Sequence, residues 1–218
     1  MGIITKKELL PFGLILLIFA IGIFLCPHLP DKVPTHWNIQ GEVDGWSSRS
    51  FAVFFLPGFT LFIYLLMLFI PYIDPLRKNY SQFNKTYFWL RILLVSFLLA
   101  IHLYTLAVGL GWNLNINLFL VPIYAALFIL IGSFLPKIKK NYFVGVRTPW
   151  TLHSEEVWNK THQFAGRAFI IAGLVILLGI IFPRYIFWLL LLPILAASFG
   201  SVIYSYFVFR RLKEFGDE

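Results

Sequence analysis

Residues 9–26 read LLPFGLILLIFAIGIFLC, a run without a single charge. A helix needs about 20 mostly apolar residues to cross about 30 Å of hydrocarbon. Five more charge-free runs follow, at about 51–73, 92–112, 118–135, 168–182 and 185–209. The pattern predicts an all-α membrane protein with six transmembrane helices. The fifth run is short, so its helix is expected to start earlier, with Arg167 snorkelling to the interface. The first run follows Lys6 and Lys7, as the apolar part of a signal peptide would. It exceeds the usual length of about 7–15 residues and no small-x-small site follows, so it reads as an uncleaved anchor.

Composition supports the same class. Of 218 residues, 59% are hydrophobic and 13% charged, with a mean hydropathy of +0.80. Soluble domains are about 45–50% apolar and about 25% charged. One core of this size cannot hide that much apolar surface, which excludes a soluble enzyme and a disordered chain. The 24 Phe, 10 Tyr and 7 Trp suit a chain with much surface at a lipid interface. Cys26 stands alone and forms no internal disulfide, and the bulky Leu25 before it makes a poor lipoprotein cleavage site.

A formal charge of +8 would suggest nucleic-acid binding in a soluble chain. Here the distribution gives another reading. Lys6, Lys7, Arg77, Lys78, Lys85, Lys137, Lys139, Lys140, Arg147, Lys160, Arg210, Arg211 and Lys213 fall on one side of a six-span chain, and only Lys32, Arg49 and Arg184 on the other. Basic loops stay cytoplasmic, so both termini are expected inside. The charge is a topology signal, and no direct contact with nucleic acid is expected.

The span interiors hold almost no ionisable groups, His102 being the one deep exception. It reads as a neutral histidine bonded to a neighbouring helix. Ion-coupled transporters place acids, arginines or histidines at the midplane, so this poverty argues against transport. Pro57, Pro71, Pro122 and Pro193 can kink spans without further purpose. Ala168 with Ala172, Ala197 with Ser201 and Ser205, and Ala196 with Gly200 are read as helix-packing positions.

Two loops are too specific to be linkers. Residues 27–50 read PHLPDKVPTHWNIQGEVDGWSSRS. Pro34 forces Val33 extended, and Val33, Thr35, Trp37 and Ile39 alternate with Pro34, His36, Asn38 and Gln40, as in a short strand. Asp44-Gly45 is a turn signal. This segment is expected outside, either as a cap on the bundle or as a ligand-binding surface offering His36, Trp37, Asn38, Glu42, Asp44 and Trp46. His28 and His36 lie near Asp31, Glu42 and Asp44, but no tight ligand spacing supports a metal site.

Residues 136–163 read PKIKKNYFVGVRTPWTLHSEEVWNKTHQ and are expected inside. Lys137, Lys139 and Lys140 form a basic edge that also attracts anionic lipid. Gly145 permits a backbone turn, and Ser154-Glu155-Glu156 looks like a helix cap with acids in the first turn. A helix from there sets Trp158 and His162 on one face and can continue into the fifth span. Arg147 can pair with Glu155 or Glu156 as a structural clasp; a protein-docking surface and a catalytic role for His153, His162 and the acids are the alternatives. No HExxH, Walker loop, nucleophile elbow or CxxC pair is present.

The stretch Asn141-Tyr142-Phe143-Val144-Gly145-Val146-Arg147-Thr148-Pro149-Trp150-Thr151-Leu152, followed by Ser154-Glu155-Glu156-Val157-Trp158-Asn159-Lys160-Thr161-His162, resembles the signature of the SdpI family of bacterial membrane proteins. Leu29-Pro30, Val33-Pro34, His36-Trp37-Asn38 and Gly41-Glu42-Val43-Asp44 are similar to the module that precedes it in such proteins. The resemblance covers most of the chain; Lys140 stands where many members have proline. It implies a multi-pass protein of the bacterial cell membrane, related to immunity proteins against the secreted SDP killing peptide. It further implies signalling, in which toxin engagement lets the protein hold an ArsR-like autorepressor (SdpR) at the membrane. Asn141, Gly145, Arg147, Thr148, Pro149, Trp150, Glu155, Glu156, Trp158, Thr161 and His162 are then the partner-docking or structural signature. The expected partners are the bilayer, an SDP-like peptide toxin and that repressor type. No catalytic residue, cofactor or metal is expected. The expected division is 1–73, two spans with the loop module at 27–50, and 74–218, a four-span SdpI-like region with the signature loop at about 136–165. A peptide or lipid exporter or flippase, and a membrane enzyme with its site on the inner loop, are the alternative functions.

Overall fold

The computed structural model describes residues 6–214. Its main helices are α1 (Leu9–Leu25), α2 (Arg49–Ile73), α3 (Tyr80–Gly109), α4 (Ile116–Phe134), the short α5 (Pro149–His153), α6 (Glu155–Leu177) and α7 (Ile186–Glu214). Six are long and apolar enough to cross a membrane. The protein is a multi-pass protein of the cell membrane. A two-stranded hairpin, β1 (Lys32–Trp37) and β2 (Val43–Ser48), interrupts the helices between α1 and α2.

The spans sit where the charge-free runs predict, with three extensions, one of them α7 continuing past Phe209 to Glu214. The fifth begins early, at Glu155, as its short apolar run requires. The third begins at Tyr80 rather than 92, running through Lys85 and Arg91. Phe83 leaves helical geometry there (φ −131°, ψ 24°), which kinks the first turn. A search for charge-free stretches stops at Arg91, whereas the helix continues because that guanidinium has a partner.

The chain forms two compact units. One holds the described residues up to Phe69 with Arg91–Phe119; the other holds Ile70–Leu90 with the described residues from Leu120 onward. In the first, Ile15 and Ile18 of α1, Tyr64 and Leu68 of α2, and Val95 and Leu99 of α3 form one apolar core. A second core joins the hairpin root to the helix ends through Leu29, Val33, Ala52, Val53 and Leu106. A Cβ on Gly109 would lie 2.9 Å from the Leu29 and Val33 side chains, so glycine lets the hairpin seat there.

An ion pair stands beside this core. Arg91 donates twice to Glu8, from Nη2 to Oε1 at 2.9 Å and from Nη1 to Oε2 at 3.1 Å. The Tyr64 hydroxyl also donates to Glu8 Oε2. Both charged side chains are buried. His102 differs from expectation. It is fully buried, and neither ring nitrogen has a hydrogen-bond partner among the described residues. Gly22 of α1, where an added Cβ would lie 3.6 Å from its Nε2, has no side chain to offer. Span hydroxyls bond back to their own helices: Thr60 to Leu56 O at 2.7 Å, Thr105 to Ile101 O at 3.1 Å and Ser201 to Ala197 O at 2.6 Å.

In the second unit, α4 and α6 meet backbone to backbone. A Cβ on Gly132 would lie 2.6 Å from Gly166 O, one on Gly166 2.7 Å from Gly132 O, and one on Gly173 2.8 Å from Ala125 O. The close approach on α6 therefore uses Gly166 and Gly173; of the expected Ala168 and Ala172 pair, Ala172 is buried and Ala168 half-buried. On α7, Ala197, Ser201 and Ser205 are buried, whereas Ala196 is exposed.

Candidate functional site

The hairpin is built by short-range rules. Val33, held extended by Pro34, is fully buried at its root. The chain reverses at Asn38–Glu42, where Asn38 Oδ1 accepts from the N–H of Gln40 at 3.0 Å and of Glu42 at 2.9 Å. Gly41 takes φ +84° to complete the reversal. The turn expected at Asp44-Gly45 is not there; both residues lie inside β2. Gly45 instead serves the irregular pairing around His36, since a Cβ on it would lie 2.8 Å from His36 Cβ.

The six candidate residues divide by direction. His36 Nδ1 meets Asp44 Oδ1 at 2.5 Å, and Asn38 Nδ2 donates to Glu42 Oε2 at 3.2 Å. Trp37 packs edge-on against Tyr104 with centroids 5.4 Å apart, so it anchors the hairpin to α3. Trp46 is 56% exposed.

The signature loop of the second unit is a hydrogen-bonded solid. The Asn141 side chain is fully buried and accepts from the N–H of Phe143 (2.9 Å) and Val144 (2.7 Å). It donates to the carbonyls of Lys139 (2.9 Å) and Val144 (3.0 Å). Asp74 grips the loop from the end of α2. Its Oδ2 accepts from Tyr142 N and the Tyr80 hydroxyl, both at 3.0 Å, and its Oδ1 from Leu76 N at 2.7 Å. Asn79 Nδ2 donates to Lys140 O at 2.7 Å.

Gly145 follows with φ +109°, and a Cβ there would run into the His162 ring. His162 Nε2 accepts the Val146 N–H at 3.1 Å, which leaves Nδ1 as the donor to Trp158 O at 2.8 Å. Trp158 stacks on His162 with centroids 4.1 Å apart, and its Nε1 donates to Ile138 O at 2.8 Å. Thr148 caps α5 in a reciprocal box with Thr151, with Pro149 in the first turn. Thr148 also bonds Ser205 at 3.1 Å, and Trp150 packs against Tyr206. Ser154 caps α6 through Val157 N, with Glu155 and Glu156 in the first turn, as its sequence predicts. Thr161 is fully buried.

The expected clasp between Arg147 and these acids does not form. Arg147 donates to Tyr142 O at 2.9 Å, within its own loop, and Glu156 pairs one helical turn on with Lys160 at 2.7 Å. Both His162 nitrogens are taken by backbone groups, Nε2 by the loop and Nδ1 by its own helix, while Glu155, Glu156 and His153 are exposed. The arrangement therefore fixes a shape and presents Tyr142, Arg147 and the two acids on its surface. Asp74, Asn79 and Tyr80 escape sequence reading, because the count of loop charges weighs only bases. The remaining clue is a single acid at the mouth of a span.

The SdpI/YfhL protein family matches residues 137–205, from the basic edge to the serine that bonds Thr148. Over those residues the chain is similar to the SdpI family. Ahead of that range, residues 13–61 match a domain of unknown function, DUF1648, and hold the hairpin with most of α1 and half of α2. The chain is 27% identical over 209 residues to the Immunity protein SdpI of Bacillus subtilis (strain 168), covering 95% of this chain and 98% of that relative. No solved structure matches. Asp74 lies outside the SdpI range, although it holds the first residues of the signature.

Proposed function

We propose that this protein belongs to the SdpI family and gives its cell resistance to a secreted antimicrobial peptide of the SDP type. The observation that carries the reading is the end-to-end likeness to an immunity protein, 95% of one chain against 98% of the other, which takes in both structured loops. In this reading the termini and the signature loop are cytoplasmic and the hairpin is outside, as the thirteen inner bases favour. Residues 1–73 carry the receiving surface, and 74–218 form the four-span SdpI-like region. Toxin meets the hairpin at His36, Asp44 and Trp46, and favours one packing of the helices by binding it more tightly than the other. The surface around Arg147, Trp150, Glu155 and Glu156 then holds an ArsR-like autorepressor, releasing the immunity operon. The rigid build of the signature loop supports docking of a folded partner.

The test is killing of an immunity-deleted, toxin-sensitive strain by SDP peptide, with and without this protein at verified membrane levels. Survival is expected with the wild type and lost with the double variant His36→Ala/Trp46→Ala. Arg147→Ala is expected to keep survival and lose induction of the operon reporter. Killing equal to that of the empty vector rejects immunity to this peptide class.

A further inference from the structure

A sheet of two strands has two open edges, and here they differ. Pro34 of β1 pairs with Trp46 of β2. Proline has no N–H, so this is a non-hydrogen-bonded pair. The Arg49 N–H on the Asp31 carbonyl, at 3.1 Å, sets the same alternation from the other end. Asp31 and Arg49 bond across, so the next pair, Lys32 and Ser48, does not. The N–H and carbonyl of Trp46 and the N–H of Ser48, whose carbonyl starts α2, therefore point to the open edge of β2, and the backbone groups of Lys32 and Pro34 to the open edge of β1.

The β1 edge carries a proline and a lysine, two devices that stop an edge strand from pairing. The β2 edge, Val43-Asp44-Gly45-Trp46-Ser47-Ser48, has neither. Asp44, Trp46 and Ser48 are exposed along it. A concavity lined by Asp31, Lys32, Asp44, Trp46 and Ser48 runs beside it. The local charge inverts that of the chain. The whole protein carries +8, but residues 27–50 hold Asp31, Glu42 and Asp44 against Lys32 and Arg49. Arg49 is already held by Asp31 at 2.6 Å. β2 itself has one acid and no base, so pairing two copies of β2 would bring together two Asp44 carboxylates with no cation on either strand.

We propose that the open edge of β2 binds an extended basic-apolar peptide by strand addition. Its backbone bonds the outward groups of Trp46 and the Ser48 N–H, an apolar side chain lies on the Trp46 indole, and a basic one reaches Oδ2 of Asp44, whose Oδ1 already meets His36. This deepens the immunity reading, on which it rests for the source of the peptide but not for the mode of binding.

The experiment is amide hydrogen exchange on the full-length protein in lipid nanodiscs. The probe is a synthetic decapeptide of alternating threonine and valine with one central lysine. Exchange at Trp46 and Ser48 is expected to slow by about tenfold or more with peptide in excess, while Ser47, whose backbone faces β1, is unchanged. Trp46→Pro removes an outward N–H and no bond to β1, so it should abolish the slowing at Ser48 while Ser47 stays protected. Trp46→Ala, lacking only the ring, should keep part of it. Unchanged exchange at Trp46 and Ser48 overturns the proposal. So do edge amides that are slow without peptide and speed up on dilution, which would assign the edge to a second copy. Protection in the killing assay without slowed exchange removes strand addition and leaves immunity standing; slowed exchange without protection does the reverse.

Discussion

At Gly145 the backbone takes φ +109°, and the space a side chain needs is filled by the imidazole of His162. Gly145→Ala therefore carries two penalties. The left-handed conformation costs an L-residue about 1–2 kcal/mol. Displacing His162 also strips the acceptor from the Val146 N–H, adding roughly 1–3 kcal/mol if that group stays buried. The expected result is a lower melting temperature in detergent and faster exchange at Val146, with helices otherwise intact; wild-type exchange at Val146 would show that His162 does not hold the loop. Gly145, the Ser154 cap and the four-residue spacing of Trp158 and His162 are legible in the sequence, because turn and helix rules act over a few residues. Asp74 is not, since its bond to Tyr142 spans 68 residues. Asp44-Gly45 is misread for another reason. A glycine that relieves a crowded strand pairing looks the same in sequence as one that makes a turn.

Among elements, the α4–α6 contact depends on the absence of side chains. A Cβ on Gly166 would meet the Gly132 carbonyl and Pro136, so a substituent there has backbone and a rigid ring to displace. Overpacking costs typically about 1–3 kcal/mol, and Gly166→Leu is expected at or above the upper end. Gly200→Leu is the control. The nearest atom to a Cβ there is a Phe164 ring carbon at 3.9 Å, so its effect should stay within about 0.5 kcal/mol. Thermal unfolding of both variants in one detergent checks the contrast, and equal shifts would remove the contact from the account. Span positions can be read because bilayer thickness fixes how many apolar residues a helix needs. Which glycine faces a neighbour cannot, because in lipid both faces of a helix are apolar.

Across the whole molecule, the grouping of spans is the part that sequence order hides. Residues Arg91–Phe119 join the first two spans, while Ile70–Leu90 join the last three. The Glu8–Arg91 pair belongs to the first group and is missed by a reading that places Arg91 at a span end. Removing one partner of a buried pair typically costs about 3–5 kcal/mol, because the other charge is left uncompensated. Arg91→Met is expected to destabilise by that order. Glu8→Gln with Arg91→Met should cost clearly less than the two single changes summed. A double-mutant cycle on detergent unfolding measures the difference, and additive effects would show that the pair is not coupled.

The same pair has a consequence in time. Glu8 and Arg91 are 83 residues apart. At a synthesis rate of about 5–20 residues per second, Arg91 is made about 4–17 s after Glu8. Through that interval the Glu8 carboxylate at the head of α1 is without Arg91. The three-helix group cannot close until Phe119 has been made, so its assembly is held back until more than half of the chain exists.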